Sequence, residues 1–504
     1  MALLPMLRTQ LKYWRGERPR VTDLEQIVDY MRRRRARGLP VLPFGFAEAM
    51  QRRGRRDPDR VRASQLRRLR RTVEYVYRYV PFYRQALDAW GVKPADIRSL
   101  ADLNKLPITH REQLEQNTEA FISRHPDVVP SIASETSGTT GKDVTVYSST
   151  EELRYYAATR AMAWLMMGRL VPSDIVQINT SLGSFSTVTN SMAARMVGAL
   201  VLTPGLGGTL DDHLKSILEE RHIPEKKART SVLYIYPTHL WALTQRAQLK
   251  GVDFRDSGLE QIATGAAPVS DDLRQLVLDT WGIALRETYG LNEVVTLLAP
   301  QCPVSRRLHF PDLAAYAETL DPETHEPVPD GQPGVLTVTT FYPHRQCMPF
   351  LRYWTDDLVI LSPDPVCVCG EATTQILNIV GRVDYMVIVG TWNIYPQHVG
   401  DSLRSFPQLA MPPRFTLRSE QREDAQYAIL DVEVGSSLSA QAERQLRQRI
   451  KEGVAVGHPA EVAVGYVNVV VNLRPPGSIK KPFPYKLREG GGPTLWADKS
   501  VEQV

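Results

Sequence analysis

Apolar residues first recur at helical spacing over residues 25–31, and again at Leu66, Leu69, Val73, Val76, Tyr77 and Val80. Steps of three and four place each set on one face of a helix. Arginines occupy the rest of the second helix, and the pattern predicts that they form a solvated face. Pro40, Pro43 and Gly45 separate the two helices, and Pro81 ends the second. Residues 96–117 read as short helices broken by proline. A strand over 144–147 and a helix over 150–167 follow, with Thr150 as N-cap and Glu151 and Glu152 in its first turn.

Strong alternation comes next. Strands are predicted over 175–178, 199–202, 232–236, 259–263 and 284–289. Helices are predicted over 191–196, 211–221, 239–249 and 270–281, the last capped by Ser270. Alternation of this kind argues for an α/β sheet. From residue 336 to about 379 strands and turns dominate. After Gly381 a β–α–β-like stretch begins, with strands over 431–434 and 462–471 and a helix over 439–451. The expected organisation is a domain over 1–380, whose first 110 residues are helical and arginine-rich, and a small separate domain over 381–504.

Composition narrows the function classes. The 504 residues are 43% hydrophobic and 23% charged, enough to bury large cores. The net charge of +5 comes from local arginine runs at the start, Arg32 to Arg35 among them. Those runs lack the interleaved aromatic platform of a nucleic-acid reader, so nucleic acid is not the expected partner. No apolar run reaches the ~18 residues of a membrane span, and the first twenty residues do not read as a secretory signal. Four cysteines in so long a chain make no disulfide scaffold. A cytoplasmic protein is expected, with a homodimer among the expected assemblies.

The stretch Thr136-Ser137-Gly138-Thr139-Thr140-Gly141-Lys142 is the first candidate for chemistry. Glycines allow a tight turn and close approach to a ligand. Hydroxyls, backbone N–H groups and a lysine suit phosphate oxygens. The glycines are three apart and Asp143 follows the lysine, so this is not a G-x-x-x-x-G-K-[ST] loop. Taken alone, the stretch is either a phosphate loop or a plain solvated loop.

Three further clusters decide between those readings: Glu287-Thr288-Tyr289-Gly290-Leu291-Asn292-Glu293, Leu351 to Leu358 with Asp357, and Gly381-Arg382-Val383-Asp384 followed by Asn393 to Pro396. In this order the set resembles the adenylate-forming enzymes, which include acyl-CoA synthetases, adenylation domains and luciferase-like proteins. Val80-Pro-Phe-Tyr-Arg84, Leu106-Pro-Ile-Thr-His110 and Cys367-Val-Cys-Gly370 look like the phenylacetate–coenzyme A ligase branch. The resemblance implies a large α/β N-terminal domain of mixed sheets and helices, and a small, mobile α+β lid.

It also implies roles. Residues 136–142 would hold the β- and γ-phosphates of ATP. Gly265-Ala266-Ala267, Tyr289 and Gly290 would flank adenine, with Glu287, Thr288 and Asn292 in the same segments. Asp357 and Arg382 would bind the ribose, and Glu293 would hold Mg²⁺. Asp384 would be the hinge, and Lys486 the candidate lysine that offsets charge in adenylation, with Lys480 and Lys481 as alternatives. Phe185, Tyr236, His239 and Gly265 are expected to line the acid pocket, together with Trp241.

Cys302, His309, Cys367 and Cys369 offer three thiolates and an imidazole, a set suited to a closed structural Zn²⁺ site, whereas Cys347 reads as a buried thiol. The chain departs from the family pattern at Asn292, Asp143, Asp356 and Tyr385. Asp356 is expected to add negative charge beside the nucleotide. The expected activity is activation of an aromatic carboxylic acid as its acyl-adenylate, with transfer to coenzyme A. Transfer to an amine or other acceptor, activation of an unusual oxyanion, and non-catalytic nucleotide binding are the alternatives.

Overall fold

The computed structural model describes residues 3–15, 17–39, 41, 57–136, 144–167, 169–180, 182, 184–252, 257–266, 269, 271–294, 298–302, 304–383, 387–389, 392–394, 396–411, 413–421, 426–454, 468–480, 485–488 and 491–495. The chain opens with helices α1 (Leu3–Trp14), α2 (Val21–Ala36), α3 (Pro58–Tyr79), α4 (Pro81–Ala89) and α5 (Arg111–Asn117). Asp57 caps α3 by accepting from the Asp59 and Arg60 N–H groups at 3.1 and 3.3 Å, and Pro58 takes the first turn, where no N–H is needed. Pro81 does end α3, and its fixed φ starts α4 at once.

Most of the predicted apolar stripe is buried: Leu69, Val73 and Val76 are 0% exposed, whereas Leu66 and Tyr77 are half-buried. The expectation of a solvated arginine face fails for Arg68, which is 0% exposed, with Nη1 2.5 Å from His344 Nε2. Arg70 donates to the carbonyls of Ile97 and Arg98, both at 2.9 Å. Two of these arginines therefore serve packing and hydrogen bonding within the fold.

Strands β1 (Ile132–Thr136) and β2 (Val144–Ser148) pair antiparallel up to Thr136↔Val144. Helix α6 (Thr150–Met167) has the predicted bounds, but its cap is Ser149 and not Thr150. The Ser149 hydroxyl accepts from the Glu152 N–H at 3.1 Å, and the Glu152 carboxylate accepts from the Ser149 N–H at 2.8 Å, which is a capping box.

A six-stranded sheet follows in the order β4 (Leu200–Leu202), β3 (Ile175–Asn179), β5 (Val232–Ile235), β6 (Gln261–Gly265), β7 (Leu285–Gly290) and β8 (Leu298–Pro300). The first five are parallel and β8 is antiparallel. Helices α7 (Phe185–Val197), α8 (Leu210–Leu218), α9 (Pro237–Leu249) and α10 (Asp271–Trp281) supply the crossovers. Val176, Ile178 and Val232 face the core that α2, α6 and α7 share, while Leu233, Ile235 and Ile262 face the core under α8, α9 and α10. The chain leaves β3 for β4 on one side and returns to β5 on the other. The crevice at the carboxyl ends of β3 and β5 is therefore the switch point where α/β sheets take ligands.

A second, five-stranded antiparallel sheet has the order β10 (Ala315–Leu320), β11 (Pro333–Thr340), β12 (Tyr353–Leu361), β13 (Gln375–Arg382) and β9 (Leu308–His309). Beyond it lie the β14 (Val387–Val389)–β15 (Trp392–Ile394) pair and α11 (Pro396–Leu403). Strands β16 (Phe415–Gln421), β17 (Gln426–Glu433) and β18 (Asn468–Arg474) form a three-stranded sheet with α12 (Ala440–Val454), and β19 (Tyr485–Arg488) pairs with β20 (Gly491–Leu495). Val399, Leu403, Phe415, Leu430 and Ile450 build a separate core there. No helix of the described residues is long and apolar enough to cross a membrane.

Candidate functional site

The site grows from the ends of β6, β7, β12 and β13. Gly265 closes β6 in register with Thr288 of β7. A Cβ at Gly265 would lie 2.6 Å from the Thr288 carbonyl oxygen, so only glycine allows this approach. Ala266 follows with φ +68, in the left-handed region.

One turn-free stretch of pairing brings the next two residues together. Strands β12 and β13 place Asp357 opposite Arg382, with Arg382 Nε 3.8 Å from Asp357 Oδ1. The Tyr289 hydroxyl, at the end of β7, donates to Asp357 Oδ2 at 2.6 Å. Burial, followed by the negative charge of Asp357, holds the Tyr289 phenol well above its ordinary range, so it remains a donor. Asp356 does not stand as bare negative charge: Trp354 Nε1 donates to it at 2.9 Å, and Arg382 lies 3.4 Å away.

Glu293 follows β7 and is 8% exposed. Its Oε1 accepts from Arg111 Nη1 at 2.7 Å, and Arg111 also holds Glu115 at 3.0 Å. The second carboxylate oxygen of Glu293 has no partner among the described residues, so it can still ligate a cation. Arg111 had no assigned role in the sequence reading, although it directly follows Leu106-Pro-Ile-Thr-His110.

Several expected residues go elsewhere or cannot be placed. Glu287 points to α10, where Arg274 pairs with it, so its carboxylate sits apart from Asp357 and Arg382. Gly290 ends β7, and Asn292 lies in the turn after it, half-buried. Thr136 ends β1. Ser137, Gly138, Thr139, Thr140, Gly141, Lys142, Ala267, Ser270, Asp384, Tyr385 and Lys481 lie outside the described residues, though Thr136↔Val144 pairing holds the two ends of the 137–143 stretch side by side. Lys486 is on β19, opposite Thr494. Lys480 lies between β18 and β19.

At the switch point, Asn179 ends β3 and donates to the Gly205 carbonyl at 3.3 Å. Phe185 begins α7, which the sequence started six residues too late because the Ser184 cap was missed. The Phe185 ring meets Tyr156 edge-on, with centroids 6.0 Å apart. Tyr236 caps α9, and His239 in its first turn lies 2.8 Å from His213, Nε2 to Nδ1. Burial, then His213, brings His239 down to about 4. Trp241 parts from this group: it packs on the core under α9 and α10, with the Arg404 guanidinium 5.3 Å above its ring.

The cysteines and histidine converge as expected. The ligand atoms of Cys302, His309, Cys367 and Cys369 all lie within 4.8 Å of one another. Cys302 and Cys367 sulfurs are 3.8 Å apart, and Cys369 Sγ is 3.4 Å from His309 Nε2. His309 Nδ1 is fixed by Thr373 Oγ1 at 2.6 Å. Burial opposes a Cys302 thiolate, yet contacts with Ser305, the Val304 N–H and His309 bring its thiol below the usual range. Cys347 is buried elsewhere, and burial pushes its thiol up to about 12.

Comparison with known proteins agrees with this geometry. Residues 130–342 match the model of the AMP-binding enzyme family. A phenylacetate-coenzyme A ligase of Thermus thermophilus is 29% identical over 450 residues, spanning 85% of this chain and 96% of that relative. One of Escherichia coli strain K12 is 29% identical over 418 residues, spanning 79% and 90%. The fold is shared with 2-hydroxyisobutyryl-CoA ligase in the postadenylation state, in complex with 2-HIB-AMP, at a TM-score of 0.71 and 20% identity over 91% of this chain and 94% of that one.

Proposed function

The chain is an adenylate-forming ligase of the phenylacetate–coenzyme A ligase-like branch, and on that premise we propose that it activates an aromatic carboxylic acid as the acyl-adenylate and passes the acyl group to coenzyme A. The observation that carries the reading is the convergence of Tyr289, Asp357 and Arg382 beside the carboxyl ends of the parallel strands. A ribose in that corner meets a carboxylate acceptor and a guanidinium donor. The acid lies at the crevice of β3 and β5, near Phe185, Tyr236 and Gly265.

In the first step a carboxylate oxygen of the acid attacks the α-phosphorus of ATP. The bond to pyrophosphate breaks, and an acyl-adenylate forms. The work is mainly positioning and offsetting two anions. Residues 136–142 cradle the outgoing phosphates, and Lys486 is the candidate cation from the C-terminal segment. Glu293, with one carboxylate oxygen unpartnered among the described residues, would hold Mg²⁺, which would offset the negative charge of the phosphates. In the second step the coenzyme A thiolate attacks the acyl carbon. AMP departs with one of the acid's oxygens, and Asp384 is the candidate hinge between the two steps.

The Cys302–His309–Cys367–Cys369 cluster fits structural Zn²⁺. A tetrahedron with Zn–S bonds of about 2.3 Å has sulfur–sulfur edges of about 3.8 Å, and the Cys302–Cys367 distance is 3.8 Å. The Thr373 hydroxyl, 2.6 Å from His309 Nδ1, would hold the imidazole with Nε2 turned toward the ion. Held there, the ion would tie the segment after β8 to the β12–β13 connection.

The test is pyrophosphate release with Mg²⁺-ATP across a panel of aromatic and aliphatic acids, with product mass measured with and without coenzyme A. The reading expects acid-dependent release and a coenzyme A thioester. Release with no thioester, but with an amide when amines are supplied, would overturn the acceptor. No release with any acid would overturn adenylation itself.

A further inference from the structure

Behind the acid crevice, the face of the sheet toward α6 carries a group of arginines that no carboxylate among the described residues neutralises. Tyr234 of β5 stands in register with Ala263 of β6, and Ala263 with Arg286 of β7. In-register residues share a face, so these three form one row across the sheet. Trp164 of α6 covers that row, its ring 6.1 Å from that of Tyr234. Arg160 is one helical turn earlier on the same face of α6.

Arg160 Nη1 donates to Thr189 Oγ1 at 3.0 Å and to Asn190 Oδ1, both neutral acceptors on α7. Those two partners are buried, at 1% and 6% exposure, while Arg160 is half-buried. Arg169 donates to the Gln301 carbonyl at 2.7 Å. Neither arginine, nor Arg286, has a carboxylate partner among the described residues, and the Tyr234 hydroxyl has no hydrogen-bond partner there. Burial lowers Arg160 to about 10, and it lowers Arg169 as well, while both charges bear on the Tyr234 phenol. Elsewhere in the molecule the inward-facing Arg345, Arg352 and Arg274 each have a carboxylate. A half-buried cation without a carboxylate partner bears part of the desolvation cost of burial, and that cost is offset when an anionic ligand completes the pair.

The row leads toward the reaction centre, and Tyr234, Ala263 and Arg286 are each only half-buried. Gly265 is two residues beyond Ala263 on the same strand and the same face, and Ala263 presents only a methyl group. Two strand residues span about 6.6 Å. We propose that the acid activated by this chain carries a second anionic group, a carboxylate, seated on Arg160, Arg169 and Tyr234 roughly 7 Å deeper than the reacting carboxylate. The substrate class is then a dicarboxylic acid, such as an aryl acid with a carboxylate across the ring. The inference rests on the adenylation reading above and names the substrate of that same site.

The experiment compares matched acids in the pyrophosphate-release assay: phenylacetate against 4-carboxyphenylacetate, and hexanoate against adipate. At least one diacid should exceed its partner in kcat/KM by about 10⁴-fold, the order by which a site built to hydrogen-bond a polar group rejects an analogue lacking it. Arg160→Leu should collapse that ratio, chiefly through KM for the diacid, and Arg160→Lys should restore part of it. If Arg160→Leu does not fold, the wild-type ratio and Arg160→Lys still decide. Both monoacids favoured over both diacids, or an Arg160→Leu ratio equal to wild type in a folded protein, would overturn the second-anion proposal and leave adenylation standing. No release with any acid would overturn both.

Discussion

Arg111 carries the sharpest single-residue consequence, because it is what holds Glu293 in place. The pair is nearly buried, with side chains 10% and 11% exposed, and Arg111 reaches a second carboxylate, Glu115. Removing the guanidinium leaves Glu293 without its anchor and adds unbalanced negative charge. Arg111→Met should therefore raise the Mg²⁺ concentration for half-maximal pyrophosphate release by about 10- to 100-fold, the usual cost of losing a side chain that orients a metal ligand. An unchanged Mg²⁺ dependence in a folded variant would separate Arg111 from the site.

His239 gives a second residue-scale expectation, with a sign that can be worked out. An unfolded imidazole takes its proton near ~6.5, whereas burial and His213 bring the folded group down to about 4. The folded state therefore disfavours the charged form. Stability due to this group is complete above pH ~6.5 and is lost as the pH falls toward 4. His239→Gln should flatten the acid limb of urea midpoints measured between pH 7 and 4.5. Parallel limbs for variant and wild type would contradict the assignment.

At the scale of elements, alternation made the parallel strands legible, since each is a short apolar run bounded by turn residues. Strands β3, β5, β6 and β7 lie within a few residues of their expected places. Ends were harder to read. The Ser149–Glu152 and Ser184 caps lie one residue or more before the periodic stretch, and so α7 was started late. Side-chain partners across elements had little signal: nothing in the sequence links Tyr289 to Asp357, or His213 to His239. The cysteine–histidine cluster was legible because thiols and imidazoles are few and their chemistry is specific. If it holds Zn²⁺, purified protein should contain about one equivalent of zinc, and a strong chelator should lower the melting temperature by several degrees, an effect that added zinc reverses. Metal analysis finding no zinc, with an unaltered melt after chelation, would contradict this.

Across the whole molecule, a buried ion pair ties the helical start of the α/β part to the chain after β11. Arg345 and Glu152 are each 0% exposed and 3.2 Å apart, and Glu152 also accepts from the Gln346 and Cys347 N–H groups at 2.6 and 3.0 Å. The sequence placed Glu152 only as a first-turn helix charge, and the long-range partner 193 residues away had no local signature. Breaking such a pair strands a buried guanidinium, so Glu152→Ala should cost about 3–5 kcal/mol in chemical denaturation. A loss below ~1 kcal/mol would mean the pair is not holding these parts together.

In the proposed reaction the acid's own oxygen attacks the α-phosphorus. Turning over acid labelled with ¹⁸O in its carboxylate, with Mg²⁺-ATP and coenzyme A, tests this directly. The expected products are AMP carrying one ¹⁸O atom and unlabelled pyrophosphate. Label in phosphate or pyrophosphate, or unlabelled AMP alongside acyl product, would contradict an acyl-adenylate route.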